Sequence, residues 1–383
     1  MTERKSCRVC RGSFYPSPLL EYPNSPQSAQ GFLDSPDQLD DVVDLKIYQC
    51  QCCGLVQHDL SPVAYYRDVI RAVAFSDEMG QFRVRQLSDW INRFGLADKR
   101  MLEVGSGRGE YLELLTRAGA RQVHGLEHST ASVEFAHKRG LDVRPGYVMA
   151  GFTNPWAERF DAFAIFSFME HWPDLNGSLR ALQFLLNDGA CGLIEVPNFE
   201  FVKINGLYSE FTSDHIFYFD RQTLRTVLEL NGFDVLGIDS VWHDYILSAQ
   251  VRKKTLIKTA VFTVKQHRIV EQLHRFISQF ERKDVVVWGA GHQALAVMSL
   301  AQLQSTVSHV VDSAQFKQQK YTPGTHLLIK APESLLLDLP QAIVIMAAAY
   351  SDEVARTIAE KYPQVKHVAI LREEQLEVVK VAE

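Results

Sequence analysis

The sequence predicts an α/β protein whose centre is a doubly wound parallel sheet, with a cysteine-rich module before it and a second, smaller α/β unit after it. Three observations lead there. Apolar strand-like segments alternate with helix-periodic ones from residue 100 to about 250, the pattern of a parallel sheet with crossover helices. Five of the six cysteines fall within the first 53 residues. A strand running into a glycine-rich turn occurs twice, at Met101–Gly109 and again at Val285–Gly291. The length of 383 residues leaves room for two or three domains, and a 46% hydrophobic content suits globular cores. A formal charge of −6 and the lack of a long basic stripe argue against nucleic acid as a partner. The first residues carry no apolar signal segment, and no apolar run is long enough to span a bilayer. The expected setting is the cytoplasm, away from membranes.

Residues 1–75 read as the cysteine module. Cys7-x-x-Cys10 and Cys50-x-x-Cys53 are two knuckles, each followed by a residue suited to a turn. Four thiolates so spaced suit a tetrahedral Zn²⁺ site of the structural type, which leaves no open position for water. A disulfide pair is the alternative, disfavoured in a reducing compartment. Cys52 could replace Cys50 or Cys53 as a ligand, although the outer pair has the better spacing. Between the knuckles, Pro16, Pro18, Pro23, Pro26 and Pro36 predict an extended or loop-like segment with little helix. Cys191 lies in an apolar strand and reads as a core residue.

Residues 76–252 form the central unit. Met79, Phe82, Leu87, Trp90, Ile91 and Phe94 recur at helical spacing and predict a helix over 77–94. Leu102–Val104, Val123–Glu127, Ala162–Phe168 and Gly192–Val196 predict strands, with helices near 109–118, 129–139 and 176–187. Asp220–Gly232 predicts a capped helix with a glycine stop, followed by a strand over 233–238. Residues 253–383 form the last unit. It opens with a long amphipathic helix over 254–282, then repeats the logic of strand, glycine turn, helix, strand and acid, ending that pattern at Asp312.

The first glycine turn carries the chemistry. Met101, Leu102 and Val104 form a buried strand, Gly105, Gly107 and Gly109 the turn, and a helix opens at Tyr111. Such glycines let the backbone approach a ligand and leave helix N-terminal N–H groups free for an anionic group. Glu127, with His128 beside it, ends the next apolar segment and is placed to accept hydrogen bonds from ribose hydroxyls. Dinucleotide turns usually space their glycines G-x-G-x-x-G. Here the spacing is G-x-G-x-G, with Glu103 two residues ahead of the first glycine.

That E-x-G-x-G-x-G pattern resembles motif I of the class I S-adenosylmethionine-dependent methyltransferases. The resemblance implies S-adenosyl-L-methionine held by Glu103, Gly105, Ser106, Gly107, Gly109, Glu127 and His128. Its reach extends along most of the sequence. The order of cysteine knuckles, motif I domain and Rossmann-like C-terminal domain is similar to the tripartite C-methyltransferases acting on nucleotide-linked deoxysugars. Matching strings include Cys7-Arg-Val-Cys10, Cys50-Gln-Cys-Cys-Gly-Leu-Val-Gln57, Met169-Glu-His-Trp-Pro-Asp-Leu175, Glu195-Val-Pro-Asn198, Trp288-Gly-Ala-Gly291 and the segment from Val311 to Gly324.

In that family a Tyr-x-Glu-His signature follows the fifth strand, and its histidine is a candidate proton acceptor. This protein reads Thr212-Ser-Asp-His215: the histidine is kept, Asp214 replaces the glutamate and Thr212 the tyrosine. The family's later His-Gly-Gly-Ser segment appears as His243-Asp-Tyr-Ile246. C-methylation beside a ketone needs a base for the α-proton, a role that suits histidine. His215, with Asp214 adjacent, is the preferred base; His171 is the second candidate, and the other histidine is left to bind a substrate oxygen or phosphate. The substrate expected is a small molecule, a nucleotide-activated ketosugar or related metabolite. O- or N-methylation on the same scaffold, and a nucleotide-binding module without turnover, remain alternatives. In the C-terminal unit, His292 and Lys317 or Lys320 are candidates for phosphate contact.

Overall fold

The computed structural model describes residues 6–380 apart from 31, 36, 39–40 and 68–75. The expected boundary between cysteine module and central unit, near residue 75, therefore lies outside the described residues. The protein divides into two compact units, residues 1–256 and 257–383.

In the first unit the elements run β1 (Leu20–Pro26), β2 (Val42–Gln49), β3 (Val56–His58), α1 (Asp77–Phe94), β4 (Arg100–Val104), α2 (Glu110–Arg117), β5 (Gln122–Glu127), α3 (Thr130–Lys138), β6 (Val143–Pro145) and β7 (Phe160–Phe166). They continue through α4 (Leu175–Leu185), β8 (Leu186–Pro197), α5 (Phe199–Ile204), β9 (Phe217–Tyr218), α6 (Arg221–Leu230), β10 (Phe233–Val241) and β11 (Ile246–Lys253). Local chemistry sets many of the ends. Ser76 caps α1 by accepting from the Met79 N–H, and Gly95 stops it in the left-handed region at φ 63°. Asp220 and Thr223 form a capping box on α6.

The central sheet has the order β10-β11-β8-β7-β4-β5-β6. Its pairs β4·β5, β4·β7, β5·β6 and β7·β8 are parallel, as expected. One strand departs from the expected parallel run: β11 lies antiparallel to both β8 and β10, so β10 again runs in the direction of β8. The connection from Val241 to Ile246 is too short for a crossover, so it closes a hairpin. Trp242, His243 and Asp244 make that turn with φ of 49°, 55° and 63°.

Between the knuckles the backbone is extended, and it pairs into strands β1 and β2. β1, β2 and β3 join β9 in a four-stranded antiparallel sheet, so a strand from beyond residue 210 completes the N-terminal layer. One core runs through both layers, from Cys7, Cys50 and Leu55 to Leu102, Phe163, Ile194 and Leu247. Each fully buried Leu, Ile or Phe there contributes roughly 1.5–3 kcal/mol.

In the second unit, the strands Ile329–Lys330, His309–Val311, Val285–Trp288, Ala342–Ile345 and His367–Leu371 are parallel neighbours in that order. Leu376–Lys380 adds an antiparallel edge. The helix expected over 254–282 is shorter, Ala260–Ile277.

Candidate active site and metal centre

The glycine turn sits at the carboxyl end of β4. Gly105, Gly107 and Gly109 have φ of 72°, 57° and 91°, a region that strains other residues. A Cβ on Gly105 would lie 2.5 Å from the Phe168 ring, so this glycine admits an aromatic side chain as well as a ligand. Gly109 begins α2 without a side-chain cap, leaving the first-turn N–H groups for another acceptor. Glu127 is buried at the end of β5. It accepts from the Gly107 N–H through Oε2 and from the Ser129 N–H through Oε1, each at 2.8 Å. A carboxylate offers about four acceptor positions, so two remain for vicinal hydroxyls. His128 packs edge-on to Tyr147, which in turn meets Phe168. Glu103 and Ser106 are fully buried. Ser106 packs on Gly125 of β5, supporting the turn from within.

A cleft of about 530 Å³ opens beside this turn, reached by Tyr111 of α2 and by Phe166 and Ser167 at the end of β7. His171, on a 3₁₀ turn beyond β7, and His215, just before β9, both line it. Their rings are 4.9 Å apart at 64°. Ligand atoms of Glu170, His171 and His215 lie within 4.8 Å of one another. The Nδ1–H of His171 donates to the Asp214 carbonyl at 2.8 Å, which fixes Nε2 as the lone-pair nitrogen of the neutral ring. Burial, reinforced by His215, pushes the His171 pKa down to about 3. Burial also lowers that of His215, against the opposing pull of Asp214 and Glu210.

Asp214 does not reach His215 with its carboxylate in a hydrogen bond. Its Oδ1 accepts instead from the Tyr65 hydroxyl at 2.6 Å and the Ala29 N–H at 3.3 Å. Sequence reasoning missed several cleft residues. Glu170 stands within the Met169–Leu175 string and was legible there. Tyr245, whose hydroxyl donates to Glu210 at 2.6 Å, and Arg83, which pairs with the buried Glu195, carried no local signal.

The four knuckle cysteines converge. Cys7 and Cys53 sulfurs are 3.7 Å apart, and Cys10 and Cys50 sulfurs 3.4 Å. A ZnS₄ tetrahedron with bonds near 2.3 Å has edges of roughly 3.8 Å. The hydrogen bond from Cys53 holds the Cys7 thiol well below its ordinary range. Three N–H groups point at sulfurs: Gly12 N to Cys10, Cys52 N to Cys50, and Gln57 Nε2 to Cys7. Such donors are the outer shell that steadies metal-bound thiolates. Cys52 is exposed and lies outside the four-sulfur group. Arg11 and Gly54 give the two knuckles matching left-handed turns, φ 65° and 76°.

In the second unit, Asp312 accepts from the N–H groups of Ala290 and Ala314 and from Lys317 Nζ. A cleft of about 350 Å³ there is lined by His292 and Lys317, but not by Lys320. Gly289 is required by packing, since its Cβ would meet the Met346 carbonyl at 2.5 Å. Among the described residues no helix is long and apolar enough to cross a membrane.

Residues 79–238 match the model of a methyltransferase domain, and residues 249–369 that of a C-methyltransferase C-terminal domain. Among solved structures, the protein is similar to an S-adenosylmethionine-dependent methyltransferase from Mesorhizobium loti: 13% identity, TM-score 0.35, covering 44% of this sequence and 100% of that one. Another, from Clostridium acetobutylicum, gives 12%, 0.37, 50% and 96%. This protein is an S-adenosylmethionine-dependent methyltransferase with an α/β fold. A curated protein, NovU of Streptomyces niveus, described as a C-methyltransferase, is 22% identical over 386 aligned residues, covering 91% of this sequence and 90% of NovU.

Proposed function

We propose that this enzyme transfers a methyl group to carbon in a nucleotide-activated ketosugar or a related small ketone, with His215 as general base. The observation that carries this reading is the cleft beside the glycine turn, where His171 and His215 converge with Glu170. Gly107, the first turn of α2 and Glu127 would hold S-adenosylmethionine, which supplies an electrophilic methyl group when bound. His215 removes the proton from the carbon next to the ketone. Burial keeps its ring neutral near pH 7, so it is ready to accept one. Burial and the neighbouring His215 lower the basicity of His171. With Nδ1–H committed to the Asp214 carbonyl, its Nε2 accepts from a substrate hydroxyl. In this reading Cys7, Cys10, Cys50 and Cys53 hold a structural Zn²⁺, and their closed sulfur shell keeps the metal out of the chemistry. The domain division at about residues 75 and 252 belongs to the same proposal.

The test is incubation with methyl-labelled cofactor and a panel of nucleotide-linked ketosugars. Product mass and the NMR position of the new methyl give the outcome. A methyl on carbon supports the reading. Transfer to oxygen or nitrogen favours the heteroatom alternative, for which Thr212 in place of the tyrosine is the motivating residue. Tight NAD binding without binding of S-adenosylhomocysteine would sink the methyl-transfer reading itself.

A further inference from the structure

The loop that carries His215 is held by the N-terminal segment. Tyr65 donates to Asp214 Oδ1 at 2.6 Å, and the Ala29 N–H reaches the same oxygen at 3.3 Å. Ser213 Oγ donates to the Pro26 carbonyl at 3.1 Å. His58 donates through Nε2 to the Ser213 carbonyl at 3.1 Å, while its Nδ1 accepts from the Leu60 N–H. Beyond the loop, β3 pairs with β9, setting Gln57 opposite Phe217.

Tyr65 is itself oriented. Its oxygen accepts from the Gln30 N–H at 2.9 Å, which leaves its own proton for Asp214. Asp214 is almost fully buried, and its carbonyl is the acceptor that sets the His171 tautomer. A displacement of this one residue would therefore move His171 directly and His215 through the adjoining peptide. The neighbouring Tyr66 packs edge-on against Tyr147, so the same short segment also touches the wall beside the glycine turn.

We propose that Tyr65 is a positioning residue for methyl transfer: by anchoring Asp214 it fixes the orientation of His171 and His215 in the cleft. This rests on the reading of that cleft as the site of proton abstraction. It makes the N-terminal segment part of the active site rather than an appended module.

The experiment uses the full-length protein saturated with S-adenosylhomocysteine, comparing wild type, Tyr65→Phe, Asp214→Ala and the double variant. Ring-nitrogen NMR reads the tautomer of His171 and the titration of His215. Deuterium wash-in at the carbon next to the ketone of a nucleotide-linked 4-ketohexose reads the reaction. Tyr65→Phe is expected to shift the histidine resonances and to slow wash-in about 10- to 100-fold, the cost of misplacing a catalytic group. Affinity for S-adenosylhomocysteine should stay within about twofold. The double variant should be no worse than Asp214→Ala, because both changes remove one interaction. Histidine resonances in Tyr65→Phe identical to wild type would overturn the proposal. So would a parallel loss of S-adenosylhomocysteine affinity, which would mark Tyr65 as a support of the fold at large. Should wild type itself show no wash-in, the base assignment fails, and the ring resonances still decide whether Tyr65 positions the loop.

Discussion

Single residues in this protein separate binding from chemistry. Glu127 already commits two acceptor positions to backbone N–H groups, so it is rigid before any ligand arrives. Glu127→Ala should weaken S-adenosylhomocysteine binding by about 1–3 kcal/mol, read by calorimetry. His215→Ala should lower turnover roughly 10²–10⁴-fold with cofactor affinity almost unchanged. The pH profile of kcat/KM gives an independent reading of the same residue. Because its pKa lies below the ordinary value, activity should rise to a plateau through an apparent pKa below 6.5. If His215→Ala keeps full α-proton exchange while His171→Ala loses it, the two roles are exchanged. His58 makes a different prediction. It is fully buried, and burial lowers its pKa from 6.5 to about 4. Between those values the unfolded state binds a proton that the folded one does not. Stability is therefore complete above pH 6.5 and falls as the pH drops toward 4, by roughly 3 kcal/mol from this residue. Denaturant midpoints measured across that window test the sign, and a midpoint that rises on acidification would contradict it.

At the level of elements, the glycine turn is the most constrained piece. Gly105→Ala would place a methyl 2.5 Å from an aromatic ring at a φ of 72°. The left-handed backbone costs about 1–2 kcal/mol and the overpacking about 1–3 kcal/mol more. Thermal unfolding should shift down, and S-adenosylhomocysteine binding should fail because Phe168 or the turn must move. Elements with chemical punctuation were legible in the sequence: α1 between Ser76 and Gly95, and α6 behind its Asp220 box. The hairpin of β10 and β11 was not. Its turn uses Trp242, His243 and Asp244 in left-handed conformations where glycine or asparagine would have announced it.

For the whole molecule, the sharing of a sheet between β3 and β9 ties the cysteine knuckles to the loop bearing His215. Elemental analysis should find about one zinc per protein molecule. Cys7→Ser should lower stability, because metal-binding free energy in such modules is folding free energy. The loss should spread beyond the knuckles, since Cys7 and Cys50 belong to the same core as Leu102 and Phe163. Limited proteolysis that cut only within the first 60 or so residues of the variant would count against that coupling. A fully folded preparation free of metal would rule out the zinc site.

The sequence by itself determined whatever depends on spacing between near neighbours: the knuckle pairs, the glycine turn, the acid at the end of β5, and the alternation of strand and helix. Those features are local, and backbone geometry converts their spacing directly into position. Only the tertiary structure decided what depends on partners distant in sequence. Tyr65 meets Asp214 across 149 residues and Ala29 meets it across 185, while Arg83 of α1 finds Glu195 on β8. The tautomer of His171 is set by a carbonyl 43 residues away. Periodicity states which face of an element is buried. Which groups meet there is fixed by the order of strands in the sheet, and that order is settled by packing the whole unit at once.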